Sequence, residues 1–250
     1  MKKIITIVIA AFLIASNACG QEFKVQKNTG RLEIRIGKVT VEGYAGNEIV
    51  FSSRDRDKKD DDRAKGLKEI NGLGIDDNTG LGINVEDKGG AVVVRQLKKM
   101  NSPEIKIMVP KGVTIFYAFE SQYSGDVIFK NVESEIEASG TYNSIELENV
   151  SGPITVKTIY GHVEASFDQN VKGPISIVSV YGYADVTLPG TIKADIKLST
   201  AYGELFASPD FKIEVDRTFD DENKVNGKIN GGGMNVDINC SYGKVYLRKK

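Results

Sequence analysis

The sequence predicts an all-β protein, a right-handed single-stranded β-solenoid of about 20-residue coils, with a stacked β-sandwich or β-roll as the alternative. Three observations carry that expectation. Tyrosines recur at a near-constant interval through the second half of the chain, apolar residues alternate on either side of each, and no stretch between them has a helical period. The composition agrees, with 26 Gly and 10 Tyr but no Trp in 250 residues. Glycine suits tight corners, and Tyr with Val and Ile suits short strands.

The chain opens with Lys2 and Lys3, an apolar run over residues 4–15, then Ser16, Asn17, Ala18, Cys19 and Gly20. A basic start, a short apolar segment and small residues define a secretory signal peptide over residues 1–20. The run is shorter than the ~20 residues of a membrane span, and no later window is apolar enough to serve as one. The protein is therefore expected to be exported to the periplasm or cell surface. Two fates are open for Cys19. As the mature N-terminus it would carry lipid, the one expected route to a membrane. Lipoprotein signals usually place an aliphatic residue three positions before that Cys, and here Ser16 stands there. Ordinary cleavage after Ala18 or Gly20 is the other fate, the latter leaving Gln21 first.

Residues 21–110 read as an irregular β region continuous with the repeat of residues 111–250. Leu32, Ile34 and Ile36, then Gly37, then Val39 and Val41 give strand, corner and strand. Further strands are expected at 81–85, 91–94, 104–109 and 113–119, with Pro110 and Gly112 marking a corner. Residues 54–69 interrupt this pattern with seven basic and six acidic side chains, the mark of a solvated loop.

Residues 111–250 hold the repeat. Tyr123, Tyr142, Tyr160, Tyr181, Tyr202 and Tyr242 lie 19, 18, 21, 21 and 40 residues apart, so one unit is degenerate or interrupted. Gly161, Gly182, Gly203 and Gly243 directly follow four of them. Asn143 follows Tyr142, Asn being the next best residue for a left-handed backbone. Ile154, Val156 and Thr158 precede Tyr160 on its own parity, and Ile175, Ile177 and Ser179 do so for Tyr181. After each Tyr-Gly the parity flips, as Val163 and Ala165 show, which is the signature of a strand bent at a corner. Each coil would hold two or three strands, and stacking at ~4.8 Å would bring the tyrosines into a ladder. By parity the rings point inward near a corner; the competing reading is an exposed strip that stacks on sugar rings. Cys240 takes the slot held elsewhere by Ser121, Gly140, Thr158, Ser179 and Thr200, so it reads as a small core spacer. The interruption at residues 217–227, with Asp220, Asp221 and Glu222, reads as a surface loop.

Function classes narrow by exclusion. Lys and Arg number 33 against 34 Asp and Glu, a formal net charge of −1 that marks no nucleic-acid partner. One His and two Cys remove most zinc, haem and iron–sulfur sites. Asp76, Asp77, Asn78, Thr79 and Gly80 begin like a calcium loop, but Leu81 stands where the turn glycine belongs. Gly231, Gly232 and Gly233 suggest a calcium-binding nonapeptide, but Met234 breaks it. His162 is expected to point outward. Outward acids such as Glu164, Asp185 and Glu204 are a candidate for the acidic stripe a polysaccharide lyase or hydrolase would use, and outward positions in a repeat produce such a stripe without function. No catalytic, cofactor-binding or metal-ligating residue is assigned, and no cofactor is expected.

Residues 196–204 and, above all, 227–248 resemble the bacterial putative-adhesin domain family, a domain-of-unknown-function family of exported β-repeat proteins. The resemblance covers about residues 30–250 and is strongest after Val109. It implies an exported, repeat-built β-solenoid associated with the cell envelope, with no established catalytic residues. The signal peptide, the repeat and the missing catalytic constellation together lead us to expect a protein that is not an enzyme and that binds an envelope, glycan or protein ligand through an elongated β-surface. The resemblance also implies an alternative, a structural or regulatory partner in envelope-stress signalling.

Overall fold

The computed structural model describes residues 21–53, 63, 67, 72, 74–100, 102–218 and 221–250. The expected signal peptide with Cys19, and all of the charged segment 54–69 except Arg63 and Leu67, lie outside the described residues. Two sheets of ten and eleven strands account for the ordered elements, and no α-helix occurs among the described residues.

The first half supplies β1 (Glu22–Val25), β2 (Thr29–Arg35), β3 (Val39–Tyr44), β4 (Ile49–Ser53), β5 (Ile83–Asp87), β6 (Ala91–Gln96), β7 (Ile105–Pro110) and β8 (Gly112–Phe119). The repeat then alternates between the sheets. Strands β9 (Val127–Lys130), β11 (Ile145–Val150), β13 (Val163–Phe167) and β15 (Ala184–Leu188) lie in the ten-stranded sheet. Strands β10 (Ile136–Gly140), β12 (Ile154–Thr158), β14 (Ile175–Ser179) and β16 (Ala194–Thr200) lie in the eleven-stranded one. The C-terminal part adds β17 (Leu205–Ala207), β18 (Ile213–Val215), β19 (Lys224–Ile229), β20 (Met234–Cys240) and β21 (Val245–Lys249). Each coil of the repeat thus contributes one strand to each sheet.

Parallel register sets like residues side by side. Ile136 pairs with Ile154, Ile154 with Ile175, and Ile175 with Val236. In the other sheet Ile145, Val163, Ala184 and Val245 form the matching row. These residues are buried, and one continuous hydrophobic core runs from Leu32 to Leu247. The register follows from the alternation, since a slip by one residue would turn every Ile and Val to water.

Spatial order departs from chain order at both ends. Strand β20 pairs with β14 on one side and β16 on the other, and β21 separates β15 from β17. The C-terminal coil is therefore inserted into the stack, with the coil 194–207 outside it. Likewise β2 lies between β8 and β6, and β3 between β9 and β7. The interval of 40 residues before Tyr242 is thus no degenerate coil. Part of the expected surface loop is strand β19, antiparallel to β16 on one side and to the edge strand β18 on the other. Asn230, Gly231 and Gly232, all with positive φ, then carry the chain across the start of β16. The antiparallel pairings all fall at the ends of the sheets, where they cover edges that would otherwise template further strands.

Candidate functional site

In the repeat each passage from the eleven-stranded to the ten-stranded sheet takes four residues: 141–144, 159–162, 180–183, 201–204 and 241–244. The second of the four is always tyrosine. Its N–H extends the stacking beyond the strands. Tyr160 donates to the Thr141 carbonyl at 2.8 Å, Tyr181 to Ile159 at 2.8 Å, Tyr242 to Val180 at 2.9 Å and Tyr202 to Ser241 at 3.0 Å. The rings follow the backbone into one stack, in the order 142, 160, 181, 242, 202. Their centroids are 5.0, 5.1, 4.8 and 5.0 Å apart, and the ring planes differ by 6–17°. Tyr123 lies in a longer corner, 120–126, and makes no ring contact among the described residues.

The rings face solvent. Exposure is 45% for Tyr142, 56% for Tyr160, 53% for Tyr181, 52% for Tyr242 and 75% for Tyr202. The inward placement expected from parity is corrected because alternation ends with the strand. β12 stops at Thr158, and within the turn it is Gly161, one residue past the next inward position, that is buried. Among the described residues none of the five phenol hydroxyls bonds to another protein group, whereas Tyr183 and Tyr44 each spend theirs on a neighbour.

The glycines beside the ladder are required by approach, not by handedness. None of Gly161, Gly182, Gly203 and Gly243 has a positive φ, nor has Asn143; the left-handed asparagines are Asn131, Asn149 and Asn230. A Cβ at Gly161 would stand 1.9 Å from the Asn143 carbonyl oxygen, one at Gly182 2.1 Å from that of Gly161, and one at Gly243 1.7 Å from that of Gly182. The slot two residues before each tyrosine also does more than save space. Thr158 donates to the Asn143 carbonyl at 2.7 Å, Ser179 to Gly161 at 3.0 Å, Cys240 to Gly182 at 2.9 Å and Thr200 to Gly243 at 3.2 Å. Four of the five slots thus hold a small donor, a signal legible in the Thr, Ser and Cys that fill them, and the fifth is Gly140. Burial pushes the Cys240 thiol pKa up, keeping it protonated as that donor. Asn143 closes the row at the other end, its amide donating to the carbonyls of Gly37 and Gly125.

The adjoining face of the ten-stranded sheet carries the outward acids. Register sets Glu146 beside Glu164 and Glu164 beside Asp185. The Tyr183 hydroxyl donates to Glu164 at 2.5 Å, which holds the phenol pKa up at about 12. Arg248 forks onto Asp185, and Lys244 pairs with Glu204 at 2.7 Å. His162 stacks on Tyr183 with centroids 4.6 Å apart, a contact invisible in the sequence until the register is known. Its Nδ1 lies 3.0 Å from the Ser144 hydroxyl, but its Nε2 is 3.9 Å from Glu164, beyond hydrogen-bonding reach. The geometry of an acid-oriented base is therefore not assembled.

The loop that begins like a calcium site is closed by its own backbone. One Asp77 oxygen accepts the N–H groups of Thr79 and Gly80 and the Thr79 hydroxyl, and the other accepts Gly82 N–H at 2.8 Å. Partial burial opposes ionisation, yet these donors hold the carboxyl below its ordinary value. No group of three or more His, Cys, Asp or Glu among the described residues is placed to hold a metal ion. No helix among the described residues is long and apolar enough to cross a membrane.

Two parallel-stacked sheets, short corners and a solvent-facing aromatic ladder define an all-β, solenoid-like repeat protein. The chain belongs to the Toastrack DUF4097 family, whose model matches residues 119–248. It is similar to a "putative cell adhesion protein" from Clostridium sporogenes, with 18% identity over 92% of this chain and 99% of that one and a TM-score of 0.46. It is also similar to a "putative adhesin" from Bacteroides fragilis, with 11% identity over 92% of this chain and 96% of that one and a TM-score of 0.42. No curated protein matches the chain.

Proposed function

We propose that this protein is an exported, non-enzymatic, adhesin-like component of the cell envelope that binds an envelope or extracellular partner along the edge formed by its tyrosine ladder. The observation that carries the reading is the exposure of five stacked tyrosines whose hydroxyls have no partner among the described residues. A contiguous aromatic strip of this kind is an interaction surface more often than a passive one. The layout of residues 1–20 supports export, and Cys19 is either a lipid anchor or is removed with the signal. Residues 21–110 and 111–250 serve as one continuous scaffold for that edge. The wind of its roughly 20-residue coils is right-handed, the sense that parallel strands joined by crossovers adopt almost without exception.

The test incubates the purified mature chain with peptidoglycan, envelope fractions and matrix proteins. The comparison protein is Tyr160→Ser/Tyr181→Ser/Tyr242→Ser, checked by its melting curve. Saturable binding by the parent that the variant loses is the expected result. If nothing binds saturably, or if the variant binds equally, the reading is wrong. Mass spectrometry of the mature N-terminus separates lipid on Cys19 from a free Gln21.

A further inference from the structure

We infer that the ladder recognises a linear, uncharged polysaccharide chain lying along it, and that it does so through the row of phenol hydroxyls instead of by stacking sugar rings on aromatic faces. This deepens the proposed function and rests on it.

The ring geometry decides how the ladder can be used. Tyr160, Tyr181 and Tyr242 each have a neighbouring ring on both faces at 4.8–5.1 Å, with planes nearly parallel. Their faces are taken by each other, so a sugar ring cannot lie on them in the way it lies on an isolated aromatic. The rings offer water their edges and their hydroxyls. Those hydroxyls form a comb with one tooth per coil, and each can donate once and accept twice. None is bonded to a protein group among the described residues, and the ring contacts of the five are with one another.

Charge and area then select the occupant. The residues just before the tyrosines are Thr141, Ile159, Val180, Ala201 and Ser241, so this row and the tyrosine row carry no charge on a chain that is 27% charged. Glu204 and Lys244, two residues beyond their tyrosines, are spent on each other at 2.7 Å. An anionic polymer finds no counter-charge there. An extended peptide finds no open backbone, because the corner N–H groups are already bonded from coil to coil. The five rings, each about half exposed, present on the order of 500–600 Å² from ~150–250 Å² per aromatic side chain. A stable protein partner usually covers ~800 Å² on each side. The edge is therefore too narrow for a second copy of this chain and suits a ribbon-shaped polymer. A glycan repeats its hydroxyls once per sugar, so it can engage several teeth at once, and weak contacts sum with chain length.

The test uses the purified mature chain with isotope-labelled tyrosines, titrated with the hexamers and dimers of cellulose-, xylan-, mannan- and amylose-type sugars. At least one hexamer should shift the resonances of Tyr160, Tyr181 and Tyr242 and bind about tenfold or more tightly than its dimer. Tyr160→Phe/Tyr181→Phe/Tyr242→Phe keeps the stack and removes the teeth; it should melt as the parent does and lose about tenfold or more of that affinity. The inference is overturned if no hexamer shifts the ladder, if the Phe variant binds as well as the parent, or if sedimentation shows the ladder occupied by a second copy. Loss of envelope binding in the Ser variant, with no hexamer bound, would leave the ladder as a binding edge and remove only its assignment to uncharged glycans.

Discussion

At the scale of single residues, the position two before each tyrosine shows how a fold requirement can hide behind side-chain size. Thr158, Ser179, Thr200 and Cys240 share no chemistry except a small volume and a polar hydrogen, and each caps a carbonyl in the adjacent coil. Cys240→Ser should therefore change stability by no more than about 1 kcal/mol, because Ser179 already fills the same post one coil away. Cys240→Ala, which deletes the donor together with the thiol, should cost about 1–3 kcal/mol. Urea unfolding of both variants checks the pair, and equal losses would mean that packing alone matters. Tyr117 is the opposite case. It is fully buried against Phe129, its hydroxyl has no partner, and burial pushes its pKa far up. Tyr117→Phe is expected to raise stability by about 1 kcal/mol, read as a higher melting temperature.

At the scale of elements, the corner decides what sequence periodicity can reveal. Alternation located the strands well: the expected 91–94 and 113–119 lie inside β6 and β8, 104–109 is offset from β7 by one residue, and 81–85 from β5 by two. The tyrosines were legible as a repeat but not as exposed, because a two-residue period carries no information past the last bonded pair of a strand. The glycines were legible as corners but not for the right reason, since the crowding comes from the carbonyl of another coil. That crowding gives a sharp expectation. Gly182→Ala would place a methyl 2.1 Å from the Gly161 oxygen and should cost about 3 kcal/mol or more. Gly90→Ala meets nothing within 4 Å and should be close to neutral, which makes it the control in the same melting experiment. The ladder itself contributes less. For half-exposed rings the stacking is worth about 0.5–1.5 kcal/mol per pair, so the tyrosines help the register without setting it.

At the scale of the whole molecule, the outer faces balance charge locally, with acids and bases meeting across neighbouring strands. An exception is Glu146, whose carboxyl is held above its usual value by partial burial and by the Glu148 carboxylate beside it. A raised acid favours the fold at low pH and loses that contribution as pH rises through its folded pKa. Glu146→Gln should therefore raise the melting temperature at pH 7 and make no difference below pH ~4, where the parent carboxyl is already protonated. A gain that persists in acid would point to packing instead.

The order of coils at this scale was not legible at all, because parallel neighbours with equal Ile and Val rows are interchangeable in a linear pattern. The placement of β20 and β21 inside the stack has a consequence for how the protein is delivered. A polypeptide that emerges amino end first exposes residues 194–207 before the coil that must separate them from residues 175–188 exists. The stack stays open in its middle until residues 234–249 have emerged. A prematurely terminated chain is therefore not a shorter rack but a gapped one, with the unpaired flanks of β14 and β15 presented to whatever proteases and chaperones survey newly made chains.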